Sequence, residues 1–297
     1  MFTYIISLAT LIGINAILAV TLNFILGYAG IFSLAHAIFF GIGAYTAAVL
    51  AMKFGADFAV ATAAGMVLSG VISLALALPA LRVRGEYFVA ASLGLQMLAL
   101  TVFSEWKSVT GGIGGLIGIP PARLFGVDLS DPVAFLALTL ACLVIILLVI
   151  RALVRSSFGR SLKGIRDDET AASALGKNVA VLKTLAVMVS SSFAAVAGSL
   201  FAFYLSFINV ESFVLDVSVQ IIAMVIIGGT ATLIGPVIGA VIVLLLPALL
   251  TYLPYLPPTE IGSIQQMIYG LAMVLLMIFR PSGLWGYGSD SQKRAEP

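Results

Sequence analysis

VAFLALTLACLVIILLVI, Val133–Ile150, runs eighteen residues without a charge, and RALVRSSFGRSLKGIRDDETAASALGKNVAVLK, Arg151–Lys183, follows it directly. The first stretch is long enough to cross about 30 Å of hydrocarbon as a helix, which takes roughly 20 apolar residues. The second carries ten of the 28 charged side chains in the chain. It is too charged for lipid and must lie in water between two hydrophobic segments.

Composition extends this pattern to the whole molecule. The 297 residues are 61% hydrophobic and 9% charged, with a mean hydropathy of +1.17. A soluble domain averages about 25% charged residues, so a fully water-exposed surface is excluded. The apolar runs are continuous rather than alternating, which disfavours a β-barrel. Spans in lipid must satisfy their own backbone, so they are expected to be helices. The reading is an all-α polytopic membrane protein of about eight to nine transmembrane helices. Spans are placed near 3–25, 34–52, 58–79, 87–104, 132–150, 184–206, 217–229, 235–253 and 263–279. The seventh is short, and Gly228, Gly229, Gly235 and Pro236 break the backbone behind it, as in a half-helix or a re-entrant turn. The first span lacks a basic leader and reads as retained rather than cleaved. Residues 1–288 are expected to form one membrane domain, with a cytoplasmic loop at 151–183 and a short polar tail at 289–297.

Twelve of the 15 basic residues fall in three regions: Arg82 and Arg84, the 151–183 island, and Arg280 to Arg294. Basic loops face the cytoplasm, which puts the C-terminus inside. Nine spans put the N-terminus outside, unless the uncharged Gly27–Ala37 stretch is re-entrant. The Gly-rich loop between Lys107 and Asp131 then lies outside, as a flexible connector, an outer gate or a receptor-docking surface.

Within the island, acidic residues open a segment that ends in glycine. Asp167, Asp168 and Glu169 favour the positive end of a helix dipole. Asp167 is expected to cap the free N–H groups, and Gly176 suits a left-handed stop. The result is a helix of about two turns, too short to be stable alone in water. Its small Ala171 and Ala172 side chains allow a partner backbone to approach closely.

The rest of the chain lacks catalytic machinery of its own. It has no G-x-x-x-x-G-K-[ST] phosphate loop, and the loop glycines do not have dinucleotide spacing. One His and one Cys leave no Cys/His metal cluster and no internal disulfide. No nucleophile–base set, cofactor site or basic nucleic-acid footprint stands out. Polar residues inside the spans are few. Asn15, Asn23, His36, Gln96 and Gln220, with the Gly228–Gly229 break, are candidates for a translocation path. Buried amides more commonly join helices to one another. Gln265 and Gln266 open the ninth span. Gly65, Ser69 and Ser73 form a stripe suited to close helix packing.

Several motifs carry a family resemblance. Glu169-x-Ala171-Ala172-x-x-x-Gly176 resembles the loop by which permeases of ATP-binding-cassette (ABC) importers dock on their ATPases. Ser33-Leu34-Ala35-His36 with Gly41-x-Gly43-Ala44-Tyr45, Arg82 to Phe88, Thr110-Gly111-Gly112, Phe158-Gly159-Arg160, Gly228-Gly229, Gly235-Pro236 and Phe279-x-Pro281-x-Gly283-Leu284 follow in order. Together they resemble LivM-type permeases of branched-chain amino acid importers over nearly the whole chain. One departure is Gly164, where alanine is expected. The resemblance implies an inner-membrane permease subunit that moves Leu, Ile and Val by alternating access. It implies ABC ATPase subunits, a second related permease and an external solute-binding protein as partners, alongside membrane lipid and the small-molecule solute. Arg166, Asp167, Asp168, Glu169, Ala171, Ala172 and Gly176 would meet the ATPase. The alternatives are an ABC permease for urea, short amides or other small solutes, and an ion-coupled carrier. The carrier is disfavoured because ionisable groups within the spans are nearly absent.

Overall fold

A computed structural model describes residues 2–80, 86–124, 126–250, 261–279 and 283–284. Among these, nine apolar helices dominate the chain. They are α1 (Phe2–Asn23), α2 (His36–Phe54), α3 (Phe58–Ala80), α4 (Glu86–Glu105), α6 (Pro132–Arg155), α9 (Val179–Leu205), α10 (Leu215–Gly228), α11 (Gly235–Leu250) and α12 (Ile261–Phe279). Three shorter helices, α5 (Lys107–Thr110), α7 (Ser157–Asp167) and α8 (Glu169–Ala174), lie between them. Seven helical runs are long and apolar enough to span a membrane. One is Val210–Gly228, in which a 3-10 turn over Val210–Phe213 extends α10. The seventh span is therefore longer than its apolar core alone indicates.

The hydrogen bonds that join the connections fix how the helices alternate. At one end, Lys53 Nζ donates to Ser108 O at 3.4 Å, linking the end of α2 to the segment after α4. At the same end strand β1 (Leu116–Ile117) pairs antiparallel with β4 (Phe207–Ile208), and β2 (Arg123–Leu124) pairs with β3 (Val127–Asp128). The Gly-rich loop is thus built into local structure and joined to the α9–α10 connection, beyond what a plain connector requires. At the opposite end, the exit of α1 meets both the α7 helix and the α10–α11 turn. Among the described residues, α1, α6, α9 and α10 each run between these two ends.

Small residues set the packing. α2 and α9 approach so closely that a Cβ on Gly43 would strike the Ala195 backbone, and one on Gly198 would strike Phe40 O. Gly65 sits over Gly43, with the nearest atom 3.4 Å from where its Cβ would stand. Ser69 Oγ donates across to Ser191 O at 2.9 Å. The predicted stripe on α3 therefore does pack closely. Ala16 to Asn23 of α1 and His36 to Tyr45 of α2 are buried throughout and form the centre of the molecule. Phe40, Tyr45, Phe103, Phe201 and Phe213 interlock there, with ring centroids 4.8–6.3 Å apart. The outer helices expose apolar stripes, such as Leu140, Val144, Ile145 and Leu148 on α6 and Met267, Leu271, Val274 and Ile278 on α12. In water such stripes would be a liability; against lipid tails they are the expected surface.

Candidate functional site

The charged island folds into two helices rather than one. Ser156 breaks the apolar helix: its backbone is extended and its hydroxyl accepts from Gly159 N, starting α7. Leu162 and Ile165 bury one face of α7, while Arg160, Lys163 and Arg166 keep much of their surface exposed. Phe158 packs against Phe24 at 6.5 Å between ring centroids. Lys163 Nζ lies 5.6 Å from the Tyr28 ring centre, within cation–π range.

A second break follows at Asp168, whose backbone is again extended. Its carboxylate accepts from Thr170 N at 2.8 Å and Ala171 N at 3.0 Å. Asp168, not Asp167, is therefore the cap of α8. Asp167 closes α7 instead and pairs with Arg166. The helix that follows has six residues, about 9 Å long, and is shorter than the two turns predicted. Gly176 adopts φ +78°, the left-handed stop its position called for. Only Ala172 of α8 is buried; Glu169, Ala171 and Leu175 are exposed, and Glu169 pairs with Lys183 at 2.6 Å.

One side chain joins this surface unit to the membrane helices. Arg166 donates from one terminal nitrogen to Gly27 O at 2.8 Å and from Nε and the other nitrogen to Asp167 Oδ1 at 3.1 and 2.9 Å. Gly27 lies in a wide π turn, Phe24–Tyr28, that continues α1. A Cβ on Gly27 would overlap Ala231 N and Asn23 Oδ1, so only glycine fits. Gly30, at φ +68°, leaves room for the Arg166 stem, with Cγ 2.9 Å from where a Cβ would stand.

One turn before Gly27, Asn23 holds the α10–α11 turn. Its amide donates to Thr232 O at 2.6 Å and accepts from Ala231 N at 3.0 Å. Gly228 and Gly229 belong to the same cluster. Gly228 packs against the Gly235 backbone, and Gly239 against Met224 O. Leu284 N donates to Ile227 O at 3.1 Å. Asn23, Gly27, Gly228, Gly229 and Arg166 thus converge at one end of the bundle, although they are far apart in sequence.

The other polar candidates are dispersed. Asn15 is partly buried and donates to Leu11 O of its own helix. His36 is buried, with Nε2 2.9 Å from Thr21 Oγ1. Thr21 Oγ1 already donates to Leu18 O, which assigns the proton of the shared bond to Nε2. Ala37 N donates to Ser218 Oγ. Gln96 is fully buried and donates to Phe213 O at 2.8 Å. Gln220 lines a cavity between α10 and α12. Among the described residues no hydrogen bond joins Asn15, His36, Gln96 and Gln220 to one another. Arg82, Arg84, Arg280 and the 289–297 tail lie outside the described residues.

The residues that sequence reading passed over are mostly acceptors and small groups. Gly27 O, Thr232 O and the Ser218 hydroxyl matter through where the fold brings them. The signal for α7 was present: Phe158, Leu162 and Ile165 recur at helical spacing behind Ser156.

These elements define a multi-pass, all-α membrane protein with an ordered polar unit at one end. Residues 4–277 match the family described as branched-chain amino acid transport system / permease component, and the chain belongs to that family. It is 31% identical over 302 residues to the "High-affinity branched-chain amino acid transport system permease protein LivM" of Salmonella typhimurium, covering 94% of this chain and 69% of that protein. The protein of the same name from Escherichia coli is 30% identical over the same shares. A "Probable branched-chain amino acid transport permease protein LivM" of Methanocaldococcus jannaschii is 24% identical, over 73% of this chain and 65% of its own length. No solved structure matches the chain.

Proposed function

We propose that this chain is the permease subunit of an ABC importer for branched-chain amino acids. The observation that carries this reading is the exposed α8 helix, capped by Asp168, ended by Gly176 and tied through Arg166 to the end of α1. Membership of the permease family supports it, as do relatives named for branched-chain amino acid transport.

On this reading separate ATPase subunits hydrolyse ATP and press on Arg166, Asp167, Asp168, Glu169, Ala171, Ala172 and Gly176. A related permease completes the membrane unit, and an external binding protein delivers Leu, Ile or Val. Residues 1–288 act as one membrane domain in the bacterial inner membrane. The α7–α8 end and the C-terminus face the cytoplasm, in keeping with the basic island. The 105–131 segment and the α9–α10 connection then face outward, where a binding protein docks. Asn23, Gly228 and Gly229 lie where displacement of α8 arrives first.

Purification from native membranes in mild detergent, followed by reconstitution with the co-purified subunits, tests the reading. ATP-dependent uptake of labelled leucine that survives collapse of ion gradients is the expected result. Isolation of the chain alone, with uptake that follows an ion gradient, would overturn it in favour of a secondary carrier.

A further inference from the structure

A cleft between α10 and α12 holds a concentration of polar side chains unusual for this molecule. Its volume is about 300 Å³, the lower end of the range for small-molecule sites. It lies toward the end of the bundle that carries the β1–β4 pair. Asp216, in the first turn of α10, stands at its mouth with Gln220 one turn deeper. Gln265, Gln266 and Tyr269 face them from α12.

The hydrogen bonds leave a defined set of groups for a ligand. Tyr269 donates its hydroxyl to Val243 O at 2.6 Å and accepts from Gln265 Nε2 at 2.6 Å. The Gln220 side chain approaches the same hydroxyl, and the three residues together brace the cleft wall. Gln266 Nε2 donates to Asp216 Oδ2 at 3.1 Å. Asp216 has no cationic partner among the described residues, whose two ion pairs lie in the charged island. Asp216 is exposed at the mouth of the cleft, so its carboxylate is open to an arriving cation. Val219 and Met273 supply apolar wall. Gly262 and Gly270 leave open space: a Cβ on either would meet no atom within 4 Å.

We infer that this cleft is a contact site for the cargo, a small zwitterionic amino acid with an aliphatic side chain. Its ammonium pairs with Asp216. Gln266, displaced from Asp216, turns its amide to the cargo carboxylate, with Gln220 lining the cleft one turn deeper. The aliphatic side chain lies against Val219 and Met273, over Gly270. The inference rests on the proposed importer function and adds to it the residues that hold the solute.

The lone Cys142 permits a test by single cysteines. In a Cys142→Ala background, Gln220→Cys is treated with a water-soluble thiol reagent in the assembled, reconstituted complex. Leucine is expected to slow modification about tenfold, whereas 4-methylpentanoate, which lacks the ammonium, leaves the rate unchanged. Asp216→Asn in the same background is expected to abolish the protection. Gly270→Leu fills the cleft without meeting protein atoms at Cβ, and is expected to lower leucine uptake about tenfold. Unprotected modification together with wild-type uptake by Gly270→Leu would overturn the cleft assignment and leave the importer standing. A cysteine that never reacts, because the cleft is sealed by a neighbouring subunit or lipid, also overturns it. A parent complex that fails to take up leucine at all removes the importer reading itself.

Discussion

Arg166 divides its guanidinium between two acceptors, the Gly27 carbonyl and the Asp167 carboxylate. The Asp167 pair is largely in water, with that side chain 67% exposed, and adds little. The Gly27 bond is the structural one, and a charged donor on a buried carbonyl is worth about 1.5–3 kcal/mol at most. Arg166→Ala is expected to cost about 1 kcal/mol, read as a lower melting temperature in detergent, and to depress uptake while ATPase subunits still co-purify. Arg166→Lys reaches one acceptor but not both and is expected to fall between. The neighbouring acids separate in the same way. Asp168→Ala removes the α8 cap and destabilises that helix by about 0.5–2 kcal/mol, seen as faster amide exchange at Thr170 and Ala171. Asp167→Ala leaves those amides unchanged. The run of three acids marked a helix start in the sequence. Which acid caps depended on where α7 stops, and that is set by the extended backbone at Asp168, which composition does not record.

At the scale of elements, glycine governs how closely helices approach. Gly239 lets α11 lie on the Met224 carbonyl of α10. Gly239→Ala is expected to push the two helices apart and cost about 1–3 kcal/mol. Gly94, inside α4, meets nothing within 4 Å. Gly94→Ala is expected to be neutral or to stabilise by up to about 1 kcal/mol. Parallel melting curves in one detergent check both signs. The positions of the nine apolar helices were legible in the sequence, because length and hydropathy decide them. Their ends moved by a few residues; α6, for instance, continues to Arg155 through charged residues. The convergence of Asn23 with Thr232 was not legible, since 209 positions separate the partners and no local pattern marks either. Gln96 was read correctly as mid-span, but its acceptor, Phe213 O, could come only from the fold.

Among the described residues, alternation of the nine apolar helices puts Phe2 and Phe279 at opposite ends of the bundle. Cysteines introduced singly at Ile113 and Leu175, both strongly exposed, in the Cys142→Ala background are expected to label from opposite sides. Ile113 should react from outside in intact cells, and Leu175 only after the membrane is opened. Labelling of both from one side would refute the topology. Glu169→Arg and Gly176→Leu are expected to insert normally but to lose coupled uptake. The first reverses charge beside Lys183, and the second forces a branched residue to φ +78°, where non-glycine residues pay about 1–2 kcal/mol. Wild-type uptake by both would refute the role given to α8. Small-residue contacts unite α2, α3 and α9 into one tightly packed group and α10 with α11 into another.

The π turn at the end of α1 acts as a joint between these parts. Arg166 grips it at Gly27, and Asn23, four residues earlier, grips the α10–α11 turn. A push on the surface helix therefore has a lever arm of one helical turn before it reaches a second hairpin. On the proposed function, the hold of Arg166 on this widened turn is the place where a stroke from the surface helix would pass into the membrane helices, as through a clutch.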